Sequence, residues 1–266
     1  MIMEKNVISM LRLLSDYFND KGYQYALIGA NVPLILIELK QPNGKGFGIE
    51  PTKDVDFSVI VDNWDDYRNL KSDLLELGLI QKEHEPEHRF FLNNLMVDII
   101  PYNPAIVKDG YIEWPGSGLS MNMTGFDILF RNTQEETLAE DLKIPVIPLS
   151  LLVFTKMIAY LDRRKIKDLQ DILYVLEHYE EASISERRFD VLPAKGINYE
   201  TSGAFLLGQD LKPFLTENEL TIVREFLNLF KDEYTEVVQI LARASRKNVD
   251  EIIELIRAFT RGLKNC

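Results

Sequence analysis

The apolar residues of the first half of the chain follow two spacings, one typical of helices and one typical of strands. Residues 7–18 repeat apolar side chains with helical spacing, which predicts an amphipathic helix. Residues 23–28 form a short, mostly apolar run that predicts a strand, and this run leads into Gly29, Ala30 and Asn31. The pattern therefore predicts a strand, a turn of small residues and a helix, in that order.

A second group of strands is predicted further along the chain. Residues 54–61 alternate on a period of two, as a half-buried strand does, and residues 64–77 have a helical pattern. Residues 89–92 and 95–100 predict a hairpin, because the two asparagines between them favour a tight turn. We expect these strands to form one sheet, with a loop over residues 41–50.

The pattern changes near residue 147. Between residues 101 and 147 short apolar pieces, such as residues 126–130, are separated by Gly, Pro and Asn and predict extra strands. Beyond residue 147 five segments have helical patterns: 151–162, 167–179, 216–230, 233–244 and 249–263. Thr216 and Glu219 fit a capping box at the start of the third of these.

We therefore expect an α/β domain with a mixed sheet flanked by helices over residues 1–147, followed by a helical bundle domain over residues 148–266. The distribution of charge also differs between the two parts. The first 147 residues contain 13 basic and 23 acidic side chains, whereas the remainder contains 17 and 19. Most of the negative excess therefore lies in the expected α/β domain.

Composition excludes several classes of protein. An apolar content of 46% is too high for a disordered chain, and the net charge of −12 gives no general attraction to nucleic acid or to anionic membranes. One cysteine excludes an internal disulfide, and three histidines are too few for a zinc cluster. With no long apolar run and no signal-peptide pattern at the start, we expect a cytoplasmic protein.

The first candidate for chemistry is a set of three aspartates. Asp54 and Asp56 lie two residues apart in a predicted strand, so their carboxylates share one face of the sheet. Such carboxylates repel each other unless a cation lies between them, and Mg²⁺ commonly binds one or two carboxylates together with substrate phosphates. Asp98 lies in an apolar run where an unpaired charge is costly to bury. If the two strands are neighbours, the three acids form a site for two metal ions. The alternative is a solvent-facing strand with ordinary acidic side chains.

Two further features predict contacts with phosphate. The turn that begins at Gly29 lets backbone amides at a helix N-terminus approach a phosphate, although such a turn also suits simple tight packing. Four of the five residues 163–167 are cationic, and Lys156 lies two helical turns before Arg163 on the same helix face. Lys167 and Asp171 share a face in the same way. The alternative for these cations is a solvated helix end with surface ion pairs.

One pattern is rejected. His84, Glu85 and His88 satisfy the His-Glu-x-x-His spacing of zinc peptidases, which requires a helix to bring both histidines onto one face. Pro86 opposes that helix, and the residues that follow have a strand pattern. We expect a polar loop here.

The order of these motifs resembles the nucleotidyltransferase superfamily related to DNA polymerase beta. The resemblance rests on a hydrophobic strand, Gly29 with a small residue, a helix, the Thr-x-Asp-x-Asp of Thr52, Asp54 and Asp56, and the later strand aspartate Asp98. Residues 156–171 also resemble the helical motif of the AbiEii-type toxin group, in which a Lys precedes an Arg and a Lys-Asp-x-x-Asp. The resemblance covers roughly residues 23–179, and residues 203–208 look like a stretch seen in some members.

The resemblance implies roles for the residues of this chain. Asp54, Asp56 and Asp98 are expected to bind Mg²⁺ or Mn²⁺, with Asp98 also assisting deprotonation of the acceptor. The other expected nucleotide-binding residues are Gly29, Ala30, Asn31, Thr52, Lys156, Arg163, Lys167, Asp168 and Asp171. Among these, the two aspartates are expected to orient the cations or to contact the ribose and base.

The implied function is transfer of a nucleoside monophosphate from a nucleoside triphosphate to an acceptor, for which tRNA or another RNA is the first candidate. The group further suggests the toxin of a toxin–antitoxin or phage-defence system, with an antitoxin as partner. Two alternatives stay open. Ala30 stands where members of the group usually have Gly or Ser, and Glu50 stands where they often have Arg. These two differences suit an inactive nucleotide-binding or interaction protein. The acidic first half suits a transferase acting on a cationic, aminoglycoside-like molecule.

Overall fold

The computed structural model describes residues 5–40, 54–180, 187–192 and 197–264. Thr52, Glu50 and the loop predicted over residues 41–50 lie outside the described residues. The chain divides into two compact units. Of the described residues, 5–35 and 54–148 belong to the first unit, and 36–40 together with those from 149 onward belong to the second.

The first unit is built on a six-stranded mixed sheet. Its spatial order is β3-β4-β2-β1-β8-β7. The strands are β1 Tyr25–Ile28, β2 Asp54–Ile60, β3 Arg89–Leu92, β4 Leu95–Tyr102, β7 Gln134–Ala139 and β8 Leu142–Val146. β2 runs parallel to β4 and β1 runs parallel to β8, while the other neighbours are antiparallel. β5 Tyr111–Glu113 and β6 Ser120–Asn122 form a separate two-stranded sheet.

The core of this unit lies on the face of β2 that carries its apolar residues. Phe57 is fully buried there, and its ring centroid lies 5.6 Å from that of Phe18, which belongs to helix α1 Lys5–Lys21. Because successive side chains of a strand point to opposite faces, Asp54 and Asp56 point away from α1. The other helices of the unit are α2 Asn31–Pro33, α3 Trp64–Glu76 and α4 Phe126–Arg131.

The β3–β4 hairpin turns at two asparagines, as predicted. Asn93 and Asn94 both have positive φ, at 49° and 64°, which is the backbone conformation of a two-residue hairpin turn and one that asparagine tolerates better than most residues. The turn pairs Leu92 with Leu95 and fixes the register of the two strands, so that Arg89 lies opposite Asp98.

The second unit is helical in its described residues. Its helices are α5 Leu149–Arg163, α6 Ile166–His178, α7 Arg187–Asp190, α8 Tyr199–Leu211, α9 Glu217–Asn228, α10 Glu236–Ser245 and α11 Val249–Lys264. The predicted capping box of Thr216 and Glu219 is present at the start of α9. Residues 36–40 also belong to this unit, where the buried Glu38 accepts a hydrogen bond from the Tyr174 hydroxyl of α6.

α8 and α11 approach each other at two glycines. A Cβ atom on Gly208 would lie 2.2 Å from the Phe259 carbonyl oxygen, and one on Gly262 would lie 2.0 Å from the Phe205 carbonyl oxygen. No residue other than glycine fits either position without a backbone shift, because real Cβ atoms do not come within 3.0 Å of such neighbours. The stretch at residues 203–208 therefore has a packing role.

The structure confirms the mixed α/β fold with helices in the second half. It corrects the segment at residues 126–130, which lies in α4 and not in a strand. Four of its five side chains are buried, and a short apolar run does not distinguish a buried helix from a strand. α8 was not predicted, since it is buried almost all round and contains two glycines. In the part of the chain that the structure describes, no helix has the length and apolar character needed to cross a membrane.

Candidate active site

The structure brings the predicted aspartates onto neighbouring strands of the first unit. β2 and β4 are parallel and directly adjacent, and their register places Asp56 opposite Asp98. Asp54 precedes Asp56 by two residues, opposite Met96. Register partners in a sheet share a face, so all three carboxylates leave the same face of the sheet.

The carboxylate of Asp56 lies against the backbone of Gly29. β1 pairs with β2 so that Ile28 lies opposite Asp56, which places the turn after β1 beside this side chain. Gly29 has φ of +75°, and a Cβ atom there would lie 2.0 Å from Asp56 Oδ2. Glycine is therefore required twice, once for the left-handed backbone and once for the close approach of the carboxylate.

The remaining residues of this turn are less open than the sequence suggested. Asn31 is fully buried, and its Nδ2 donates a hydrogen bond to the Asp54 carbonyl oxygen. Its Oδ1 has no hydrogen-bond partner among the residues that the structure describes. Asn31 thus ties the turn to the first residue of β2, while Ala30 is half-buried beside it. Phosphate binding by Gly29, Ala30 and Asn31 stays a prediction.

Asp98 is held by Arg89, a residue that the sequence analysis did not single out. Arg89 Nε donates to Asp98 Oδ1 and Arg89 Nη2 to Asp98 Oδ2, each at 2.8 Å. The Asp98 residue is only 9% exposed, so the buried charge that was expected to need a partner has one. An arginine at the start of a strand is unremarkable by itself. Its position opposite Asp98 follows only from the strand register that the asparagine turn sets.

His88 lies next to this pair. Its Nε2 is 3.7 Å from Asp98 Oδ2, and its ring lies 4.9 Å from that of Trp114. Burial lowers the pKa of His88, and the charge of Asp98 only partly opposes that shift. His84, the other histidine of the rejected zinc-peptidase pattern, is exposed and has φ of 70° in a turn. The rejection of that pattern is confirmed, since the two histidines do not share a helix face.

The electrostatics of the carboxylates favour a cation. Partial burial raises the pKa of Asp54, the negative charge of Asp98 raises it further, and the positive charge of Arg89 lowers it in part. A raised pKa means that the folded protein disfavours the ionised form of Asp54.

The same side chains also limit how a metal ion would bind. Among the described residues, no three His, Cys, Asp or Glu side chains are grouped so that they could hold a metal ion. Both oxygens of Asp98 accept hydrogen bonds from Arg89, while Asp54 and Asp56 have other interactions in the structure. Two carboxylates suffice for one Mg²⁺ that completes its shell with water and phosphate oxygens. Asp54 and Asp56 are therefore the residues that would hold one such ion.

The predicted cations of the second unit are brought together with the two predicted aspartates. Asp168 is fully buried at the start of α6, and Arg163 binds both of its oxygens at 2.6 and 2.8 Å. Lys156 Nζ lies 2.6 Å from Asp171 Oδ2 and 3.5 Å from Asp168 Oδ1. Lys167 Nζ lies 3.0 Å from Asp171 Oδ1. The ion pairs of Lys156 and Arg163 join α5 to α6, and that of Lys167 lies within α6. Phosphate binding by these cations stays a prediction.

Comparison with known proteins identifies the family of the chain. No curated protein matches it. A solved structure, an antigenic nucleotidyltransferase-like protein from Paracoccidioides brasiliensis, is 14% identical with a TM-score of 0.41, and the match covers 66% of this chain and 77% of that one. The sequence profile of the nucleotidyl transferase AbiEii toxin family, from type IV toxin–antitoxin systems, matches residues 51–254. The chain belongs to this AbiEii nucleotidyltransferase toxin family.

Proposed function

We propose that the protein is a metal-dependent nucleotidyltransferase that moves a nucleoside monophosphate from a nucleoside triphosphate to an acceptor hydroxyl. The observation that carries this proposal is the register of β2 and β4, which puts Asp56 opposite Asp98, with Asp54 two residues away on the same face. Membership of the AbiEii family supports it.

Asp54 and Asp56 would hold Mg²⁺ or Mn²⁺. When bound, the ion supplies positive charge to the phosphate oxygens and to the leaving pyrophosphate. The acceptor oxygen forms a bond to the α-phosphorus, and the bond from that phosphorus to the bridging oxygen of pyrophosphate breaks. Asp98 would accept the proton of the acceptor hydroxyl, because Arg89 fixes the orientation of its carboxylate beside Asp56.

Contacts to the nucleotide form the second part of the proposal. Gly29 leaves room for a close approach to the turn backbone, and Thr52 and Ala30 complete the set assigned to the first unit. Lys156, Arg163 and Lys167 are the proposed phosphate contacts of the second unit. Each of them forms an ion pair with Asp168 or Asp171, so each would have to bind phosphate while it keeps that carboxylate partner.

The acceptor that fits the family best is an RNA, with tRNA as the first candidate and an antitoxin as the protein partner. A chain with a net charge of −12 gains no general attraction to RNA, so recognition would depend on local cations. With a single cysteine the chain also suits the reducing cytoplasm, where triphosphates and RNA are abundant.

The test is incubation of the purified protein with each labelled triphosphate, Mg²⁺ and total cellular RNA. We expect label on RNA with the wild type, and at least about a hundredfold less with Asp54→Asn, since removing an electrostatic group of the transition state has effects of this size. Asp20→Asn, at an exposed position of α1, is the matched control and should label RNA as the wild type does. Undiminished labelling by Asp54→Asn would refute the metal role of Asp54.

A nucleotide-binding protein without turnover is the second candidate. It is favoured by the Arg89–Asp98 ion pair, which occupies both oxygens of the proposed base, and by Ala30, which brings no hydroxyl to the turn. Calorimetry with each triphosphate and Mg²⁺ separates the two candidates. Binding without labelling of RNA, protein or a small molecule would favour this second function.

A further inference from the structure

We infer that Arg89 is the resident counter-ion of Asp98, so that the carboxylate cluster takes one divalent cation, on Asp54 and Asp56, and not a second one at Asp98. The inference deepens the proposed function and rests on it. It assigns Arg89 as a positioning residue, one that acts on the reaction through Asp98.

The hairpin makes this pairing a fixed part of the fold. Asn93 and Asn94 close a two-residue turn, which sets the register from Leu92 opposite Leu95 back to Arg89 opposite Asp98. Cross-strand partners in an antiparallel pair lie on the same face, so Arg89 leaves the sheet on the side of the carboxylates. The pairing is therefore built by the backbone and does not depend on a chance encounter of two surface side chains.

The geometry leaves little room for a metal ion at Asp98. The guanidinium binds both carboxylate oxygens at 2.8 Å, in the two-pronged arrangement that is the strongest form of this ion pair. The two side chains are 25% and 11% exposed, so the pair is weakly screened by solvent. A divalent cation at Asp98 would have to displace the guanidinium or lie beside a like charge.

The neighbouring groups support the same conclusion. His88 Nε2 lies 3.7 Å from Asp98 Oδ2 and covers another side of the carboxylate. Glu85 Oε2 lies 3.4 Å from Arg89 Nη1 and adds a second negative charge that holds the guanidinium in place. Within the described part of the chain, no group of three or more His, Cys, Asp or Glu side chains could hold a metal ion.

The decisive measurement is a Mn²⁺ titration followed by electron paramagnetic resonance, which counts free ions without requiring turnover. We expect the wild type to bind one ion per chain, Asp54→Asn to weaken it by at least about tenfold, and Asp98→Asn to leave its affinity within about twofold, because only the first residue is a ligand. Arg89→Gln should gain a second ion, and the double variant Arg89→Gln, Asp98→Asn should lose that gain.

Arg12→Gln is the matched control. Arg12 makes the same two-pronged pair in the first unit, with Asp141 at 2.7 and 2.8 Å, but Asp141 is not one of the three aspartates. It should bind Mn²⁺ as the wild type does. Circular dichroism melts check that each variant is folded. If Arg89→Gln does not fold, the Asp98→Asn titration decides alone.

The outcomes separate this inference from the proposed function. If Asp98→Asn weakens the wild-type ion as strongly as Asp54→Asn does, or if the wild type already binds two ions, the inference about Arg89 is wrong while the metal site stands. If the wild type binds no ion and Arg89→Gln gains one through Asp98, the metal step of the proposed function is wrong, and of the inference only the part that assigns Arg89 as the counter-ion of Asp98 stands.

Discussion

At the scale of single residues, the candidate site consists of three carboxylates and one arginine, which forms an ion pair with one of them. Asp54 and Asp56 could be predicted from sequence, because a strand period of two fixes which side chains share a face. Arg89 could not be predicted in the same way, since its importance depends on the register of a hairpin. Asn31 is fully buried and donates a hydrogen bond to the Asp54 carbonyl oxygen, a contact that could not be predicted, because a sequence pattern does not reveal which way such a side chain turns.

The contact between Gly29 and Asp56 gives a first prediction. Gly29→Ala should lower Mn²⁺ affinity by at least about tenfold, because its Cβ atom would displace the Asp56 carboxylate. Gly22→Ala is a close control, since Gly22 also has φ of +75° but has nothing within 4 Å of its Cβ position. Both variants should lose about 1–2 kcal/mol of stability from the left-handed backbone. Equal Mn²⁺ affinities in the two variants would contradict the proposed role of this contact.

The raised pKa of Asp54 gives a second prediction, on stability. Since the folded state disfavours the ionised form, Asp54 lowers stability as pH rises through and above its ordinary value of 3.8. Without divalent ions, Asp54→Asn should therefore melt slightly above the wild type at pH 7, and the difference should vanish near pH 3. Melting curves at the two pH values measure this. A variant that melts below the wild type at pH 7 would show that Asp54 contributes stabilising contacts instead.

At the scale of elements, two kinds of pairing organise the molecule. The asparagine turn fixes the β3–β4 register in the first unit, and the Asp168 ion pairs join α5 to α6 in the second. The hairpin and both helices were predicted, because turn residues and helical spacing are local signals. α8 was not, because its stability comes from close packing against α11 at Gly208 and Gly262, which no local pattern shows.

Asp168 gives a third prediction. Asp168→Asn should lower the free energy of unfolding by about 1–3 kcal/mol, because it removes the buried carboxylate that binds the half-exposed Arg163 and leaves Lys156 with Asp171 alone. Arg224→Gln is the control, since it removes an exposed pair with Glu217 and should change stability by about 1 kcal/mol or less. Urea unfolding measures both. A loss for Asp168→Asn no larger than that of the control would mean that the cluster does not hold the two helices together.

At the scale of the whole molecule, the chain passes between the two units more than once. Residues 36–40 lie in the second unit, between two stretches that belong to the first. Ile37 and Glu38 are buried, and Glu38 accepts a hydrogen bond from Tyr174 of α6. The helical patterns beyond residue 147 predict most of that unit. The contribution of residues 36–40 was not predicted, because it depends on a contact between residues 136 positions apart.

The position of residues 36–40 in the second unit gives a fourth prediction. A fragment of residues 149–266 should melt at a lower temperature than the helical unit does in the full chain, because it lacks the buried Ile37 and Glu38. Hydrogen exchange should be faster in α6 near Tyr174, and a peptide of residues 34–40 added in excess should slow it again. Unchanged protection of α6 in the fragment would show that the segment is dispensable.

The position of residues 36–40 also affects how the gene for such a chain can recombine with other genes. A gene exchange with a single crossover near residue 148 would carry most of the helical unit into a new protein but leave residues 36–40 behind. An intact transplant needs a second exchange early in the gene. The helical unit should therefore be inherited together with its sheet partner more often than it is shuffled alone.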